Sequence, residues 1–187
     1  MTWRLLKIII IPLIKNFYKL RIRVQGGDNV PDSGAVIILG NQKNLISVLA
    51  IETVMPRKVY WAVSPSVCRG RLARILFRIF FGCFLLDPGR ADTRGFRSAF
   101  ETLRKSEMLA FYPGVVNQGV ALFCLRSGYG LLPVFITQET STSPFRHINI
   151  NFGPVYNLSE YRRIILNVEN VDNIVLQINR SVEKLSG

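Results

Sequence analysis

The chain has a single histidine, His147, and three cysteines, Cys68, Cys83 and Cys124, with no Cys-x-x-Cys pair among them. That scarcity excludes a zinc-type centre of ordinary ligand spacing, so no metal is expected. An odd number of thiols in apolar or basic surroundings also argues against a disulfide framework and for core thiols in a reducing compartment. Long apolar runs are missing too. The stretch from Ile8 to Ile14 is far shorter than the roughly 18 to 20 residues a bilayer-spanning helix needs. No small-residue cleavage site follows it, so it reads as part of the protein rather than a removed signal. Acidic residues are few, 12 against 24 Lys and Arg, giving a formal charge of +12 and a pI near 10.2. The expected partners of such a chain are polyanions, either an anionic membrane surface or nucleic acid.

What is present favours the membrane. Hydrophobic residues make up 49% of the chain and mean hydropathy is +0.24. The arginines alternate with bulky aliphatics instead of lining a polar face, and no RNP-like, zinc-finger or helix-turn-helix signature occurs, so nucleic acid is not the expected partner. At 187 residues the chain suits one domain, 1–187, with a real core. No internal repeat or low-complexity segment divides it.

Within residues 1–23 a basic amphipathic helix is expected. At 100° per residue Arg4, Lys7, Lys15 and Lys19 gather on one side, Leu5, Leu6, Ile9, Ile10, Leu13, Phe17 and Leu20 cover most of the rest, and Trp3 stands at the start. Pro12 should kink it. Two uses fit: an in-plane membrane anchor with lysines at the headgroups, or a first helix packed on its own domain. A second basic, apolar segment, 67–84, places Arg71, Arg74 and Arg78 on one helical face; membrane contact and an ordinary core-facing helix with solvated arginines both fit it.

Between and beyond these segments the pattern alternates strand and helix. Arg21 to Gln25 reads as an entry strand. Ala35-Val36-Ile37-Ile38-Leu39 is short, β-branched and uninterrupted, as expected of a strand buried on both faces. A helix follows from Leu45 to Met55, stopped by Pro56, then strands at Lys58–Val63 and Cys83–Asp87. A helix carrying Phe96, Ala99, Phe100 and Leu103 is capped at Asp92 or Thr93. Met108–Tyr112 is the next strand, Gly119–Ser127 a helix closed by Gly128, Leu131–Ile136 and His147–Phe152 two further strands, and Asp172–Leu185 a last helix. This order predicts an α/β fold: one domain with a largely parallel central sheet flanked by helices. In such sheets the carboxyl ends of the strands form the binding crevice, which places Asn41, Gln42, Lys43 and Asn44 there as candidates for chemistry.

Four landmarks stand in order: Gly40-Asn41-Gln42, Leu86-Asp87-Pro88-Gly89-Arg90, Phe111-Tyr112-Pro113-Gly114 and Leu131-Leu132-Pro133-Val134. Their order and spacing resemble the glycerolipid acyltransferases of the lysophosphatidic acid acyltransferase (PlsC-like) family over most of the chain. The resemblance implies a catalytic pair, histidine and, five positions on, aspartate, in which the imidazole takes the proton of an acceptor hydroxyl that attacks an acyl thioester. Here Gln42 stands at the histidine position and Ser47 at the aspartate position. An amide takes no proton near neutral pH and a hydroxyl holds no imidazolium, so a general base worth about 10²- to 10⁴-fold is missing. In the third landmark, where the family has Phe-Pro-Glu-Gly-Thr-Arg, Gly114 stands at the Glu position and Asn117 at the Arg; a one-residue deletion would instead put Gly114 at the Gly. Arg90 lies two residues beyond a direct match to the phosphate-binding arginine, and closing a Pro-Gly turn is its other reading; Asn41, Lys43, Arg90, Gly114 and Asn117 are the substrate-binding candidates that the resemblance implies.

No substitute dyad is evident: the cysteines lack a base, His147 lies far along the chain, and there is no Gly-x-Ser-x-Gly turn. Gln42 could still donate a hydrogen bond to a bound carbonyl or phosphate and Lys43 add charge, or both could belong to a capped polar loop. The resemblance therefore implies a membrane-peripheral acyltransferase-like protein on a reducing face, catalytically inactive, binding membrane lipids or serving as a subunit beside other proteins. The alternative is an active lysophospholipid acyltransferase with an atypical site. No cofactor is expected, and acyl-CoA or acyl-carrier protein enters as donor only in that alternative.

Overall fold

The computed structural model describes residues 12, 16, 20–42, 44–66, 75, 78, 81–87, 92–112, 114, 116–139, 146–157 and 168–186. Seven strands form one sheet: β1 (Leu20–Gln25), β2 (Val36–Gly40), β3 (Val59–Val63), β4 (Phe84–Leu85), β5 (Met108–Tyr112), β6 (Gly130–Glu139) and β7 (Arg146–Phe152). The helices are α1 (Leu45–Val54), α2 (Thr93–Arg104), α3 (Gln118–Ser127) and α4 (Val168–Glu183), with short 3-10 turns at Gly27–Asn29 and Lys184–Ser186. Strand order is β1-β7-β6-β2-β5-β3-β4, and every neighbouring pair is parallel except β6 with β7. The expected α/β architecture with a largely parallel sheet is thus present. β2 and β3, joined through α1, are not neighbours, because β5 lies between them.

The uninterrupted apolar run of β2 explains its central place. Val36, Ile37, Ile38 and Leu39 are all buried, with even positions feeding one core and odd positions the other. On the first face Val36 and Ile38 meet Ala110, Trp61 and Leu132 beneath α1. On the second, Ile37 and Leu39 meet Leu109 and Phe111 beneath α2, α3 and α4. Each such aliphatic side chain contributes about 1.5–3 kcal/mol by leaving water.

Helix ends follow their capping residues. Asp92 accepts from the Gly95 N–H at 2.9 Å and the Asp87 N–H at 3.1 Å, fixing the start of α2 and the loop before it. Gly128, at φ 66°, ends α3 in the left-handed conformation. The apolar helix α1 buries even Glu52, whose carboxylate accepts from the Trp61 indole N–H at 2.7 Å. At the amino edge of the sheet the Arg57 guanidinium donates to the carbonyls of Pro31 at 3.3 Å, Ser106 at 2.8 Å and Gly34, tying three loops together.

Several boundaries differ from the sequence reading. The entry strand read at Arg21–Gln25 is present and starts one residue earlier, at Leu20, so the helix expected within residues 1–23 does not run through Leu20–Arg23: Leu20-Arg21-Ile22-Arg23 alternates with period two and pairs in register with Arg146–Asn149 of β7. The strand expected at Cys83–Asp87 is only Phe84–Leu85. β6 continues past Ile136 through Thr137-Gln138-Glu139, because β7 pairs with it as far as Glu139.

Candidate functional site

The carboxyl ends of β2, β5 and β6 converge, and each side chain there is held by a specific bond. Asn41 follows directly on β2. Its Nδ2 donates to the Ile136 carbonyl at 2.9 Å and its Oδ1 accepts from the Ile136 N–H at 2.7 Å. The side-chain amide thereby mimics a backbone peptide and extends the β2–β6 ladder, which ends at Gly40 opposite Val134. Both amide atoms are spent on the fold.

Gln42 is wholly buried. Its Nε2 donates to the Phe111 carbonyl at the end of β5 at 3.0 Å, and its own backbone carbonyl accepts from the Gly114 N–H at 2.9 Å. Its Oε1 has no hydrogen-bond partner among the described residues. Two glycines make room for this amide. A Cβ on Gly40 would lie 2.7 Å from Oε1 and 2.2 Å from the Val134 carbonyl oxygen; one on Gly114 would lie 2.7 Å from Oε1 and 2.2 Å from the Gly40 carbonyl oxygen. Both positions are forced to glycine by close backbone approach. Gly114, singled out as a substrate-binding candidate, is thus a wall of the slot that holds Gln42.

Ser47 lies in the first turn of α1 and is buried. Asn44 caps that helix through its Oδ1, which accepts from the Ser47 N–H at 2.9 Å and the Ser47 hydroxyl at 3.0 Å. Gln138, at the end of β6, donates from Nε2 to the Ser47 Oγ at 3.0 Å and to the Asn44 Oδ1 at 3.1 Å. No hydrogen bond joins Gln42 to Ser47 among the described residues. The two positions share the crevice without forming a pair. Asn117 caps α3, its Oδ1 accepting from the Val120 N–H at 2.9 Å.

The crevice contains Asn41, Gln42, Asn44, Ser47, Gly114 and Gln138, all uncharged at any ordinary pH. His147 stands on β7, in register with Glu139, and its neighbour Ile148 is part of the first core, so alternation turns the imidazole toward the other face. Burial pushes the Cys124 thiol up to about 12, which leaves it protonated and unreactive near neutral pH. Cys83 is buried as well.

Gln138 is a site residue that the sequence reading missed, whereas Asn44 was placed at the sheet edge without its role as the cap of α1. Asn44 carried a signal, an Asn directly before an apolar helical run. Gln138 carried none, because its place depends on how far β7 extends β6. Lys43, Arg90, Trp3, Arg4, Lys7, Lys15, Lys19, Arg71 and Arg74 lie outside the described residues. Arg78 is helical and exposed, as are Ile75, Pro12 and Asn16. Among the described residues no helix is long and apolar enough to cross a membrane.

Neither a protein-family model nor a curated protein matches the sequence. The fold is similar to the crystal structure of the 1-acyl-sn-glycerophosphate (LPA) acyltransferase PlsC from Thermotoga maritima, with a TM-score of 0.62 at 15% identity, over 95% of this chain and 77% of that one. At that identity the likeness establishes a shared fold.

Proposed function

We propose that this chain is a membrane-peripheral, non-catalytic protein of the glycerolipid acyltransferase fold, acting as a lipid-binding or structural subunit of a larger assembly. The observation that carries the reading is Gln42. At the position where the family resemblance calls for a general base, the side chain is a buried amide bonded to the Phe111 carbonyl and walled in by Gly40 and Gly114. Proton transfer from an acceptor hydroxyl needs a group that changes protonation near the working pH and reaches the hydroxyl. Gln42 does neither. Ser47, at the position of the orienting acid, is committed to Asn44 and Gln138. The charge of +12 and the basic residues Arg4, Lys7, Lys15, Lys19, Arg71, Arg74 and Arg78 support a place on an anionic membrane surface.

Thiol release from acyl-CoA, or from an acyl-carrier donor, in the presence of a lysophospholipid tests the first part. No turnover above the uncatalysed rate is expected, and turnover abolished by Gln42→Ala would overturn the reading. Sedimentation with anionic vesicles tests the second: binding that weakens at high salt is expected, with loss on reversing Lys7, Lys15 and Lys19 to Glu. Full binding by that triple variant would remove the anchor.

A further inference from the structure

On the second face of the sheet, away from Gln42, a hollow of about 300 Å³ opens between α4 and the chain at Tyr156. Its place is fixed by register and by face. Leu131, on its floor, pairs with Ile37 within β2, whereas Gln42 lies beyond Gly40, which is opposite Val134. Leu131, Ile174 and Ile178 belong to the core beneath α2, α3 and α4, while Val134, which crowds Gly40, belongs to the other core. The hollow is therefore separate from the crevice and independent of its chemistry.

Leu131 and Tyr156 exchange two backbone hydrogen bonds of 2.9 and 2.8 Å, an isolated bridge that holds Tyr156 over the opening. Opposite it, Gln177, Ser181 and Lys184 follow one another at intervals of four and three along α4 and its 3-10 extension, a spacing that stacks them on one side of the helix. The Ser181 hydroxyl donates to the Ile178 carbonyl at 2.7 Å, so it lies against its own helix.

The lining is divided by chemistry. The floor is aliphatic, made of the buried residues Leu131, Ile174 and Ile178. The rim carries two exposed cations, Arg180 and Lys184, and among the described residues no carboxylate lines the hollow. Among the described residues neither cation forms an ion pair, and the nearby Asp172 is bonded to the Gln118 amide at 2.7 Å. An apolar floor beneath two unneutralised cations complements a ligand with an anionic head and an apolar body. The volume is at the low end of the roughly 300–1,000 Å³ of small-molecule sites, a size that suits a single chain. We infer that this hollow binds a single-chain anionic amphiphile, with its carboxylate or phosphate-monoester head at Arg180 and Lys184 and its chain over Leu131, Ile174 and Ile178.

Titration calorimetry of the full chain tests this with dodecyl phosphate below its micelle concentration, inorganic phosphate as head alone and 1-decanol as tail alone. Dodecyl phosphate should bind more tightly than either part. Replacing Arg180 and Lys184 together by Gln should weaken it about ten-fold, since two charge-assisted contacts are lost. Ser181→Phe, which fills the hollow, should abolish binding, and Gln42→Ala should leave it unchanged. The double glutamine variant alters only exposed side chains, so it decides the matter if Ser181→Phe fails to fold by circular dichroism. Binding that is insensitive to the double variant, equal for inorganic phosphate alone, or lost with Gln42→Ala would overturn the inference. So would capture by phosphatidic acid vesicles that needs Arg180 and Lys184 while dodecyl phosphate itself does not bind, which would make the rim a membrane-surface contact and not a ligand site.

Discussion

The crevice beside Gln42 and the hollow beneath α4 lie on opposite faces of one sheet and use their polar groups in opposite ways. In the crevice, Asn41, Asn44, Ser47 and Gln138 are spent on helix caps, strand ends and one another. In the hollow, the polar rim is cationic and without ion-pair partners among the described residues, above a floor of aliphatic carbon. A crevice whose hydrogen-bonding groups, the Gln42 Oε1 apart, are engaged with its own backbone and side chains contributes to stability and little to ligand chemistry. A hollow whose charges are unneutralised costs the fold little and leaves those charges for a partner. The fold's usual place for chemistry is thus the more internally bonded of the two regions, and the less usual place keeps two cations without ion-pair partners among the described residues.

The comparison breaks most readily at the glycines. Gly40→Ala or Gly114→Ala sets a Cβ 2.2 Å from a backbone oxygen, and each should cost about 3 kcal/mol in urea unfolding. Adding Gln42→Ala should not rescue either, because the closest clash is with backbone. Ser181→Ala at the hollow should change stability by less than about 0.5 kcal/mol, its hydroxyl bonding only to its own helix. Equal costs at the two places would erase the distinction between a locked and an open region.

A second contrast lies in pH. The folded-state thiol of Cys124, raised to about 12 from an ordinary value near 9, keeps its proton where the unfolded chain has lost it. Its contribution to stability is fully present below pH 9 and is lost as pH rises through the window from 9 to 12. Wild type should therefore lose stability relative to Cys124→Ala across that window, by about 1.4 kcal/mol per pH unit at most. The crevice has no titrating side chain among its described residues, so Gln42→Met should give a pH profile parallel to wild type. A diverging profile would place a hidden ionisable group against Gln42.

Smaller effects refine the picture. Asn44→Ala removes the α1 cap, with all three bonds that its Oδ1 accepts, and should cost about 1 kcal/mol by thermal unfolding. Gln42→Met removes a buried acceptor without a described partner together with the donor to Phe111, and should stay within about 1 kcal/mol of wild type. A much larger loss would mean that Oε1 holds a donor not accounted for by the described residues.

How much of this was legible in the sequence follows from which interactions are local. β2 and β5 were readable because Val36–Leu39 and Met108–Tyr112 are short apolar runs that only a doubly buried strand accommodates. Asp92 and Gly128 were readable because caps act within a few residues. At Leu20–Arg23 helical and strand periodicities competed, and pairing with β7 decided the outcome. The placement of Gln42 in the crevice was readable from strand order, but its burial was not, since the slot is made by Gly40 and Gly114, more than 70 positions apart. The hollow had no local signature at all. It exists because Tyr156 bridges to Leu131 across the chain, and only then do Arg180 and Lys184 become a rim.

The central claim, that the crevice holds no general base, is tested most directly by measuring thiol release from acyl-CoA with a lysophospholipid acceptor for wild type and Gln42→Ala side by side. The account predicts that both match the uncatalysed rate at every pH. Turnover by wild type that disappears in Gln42→Ala would contradict it.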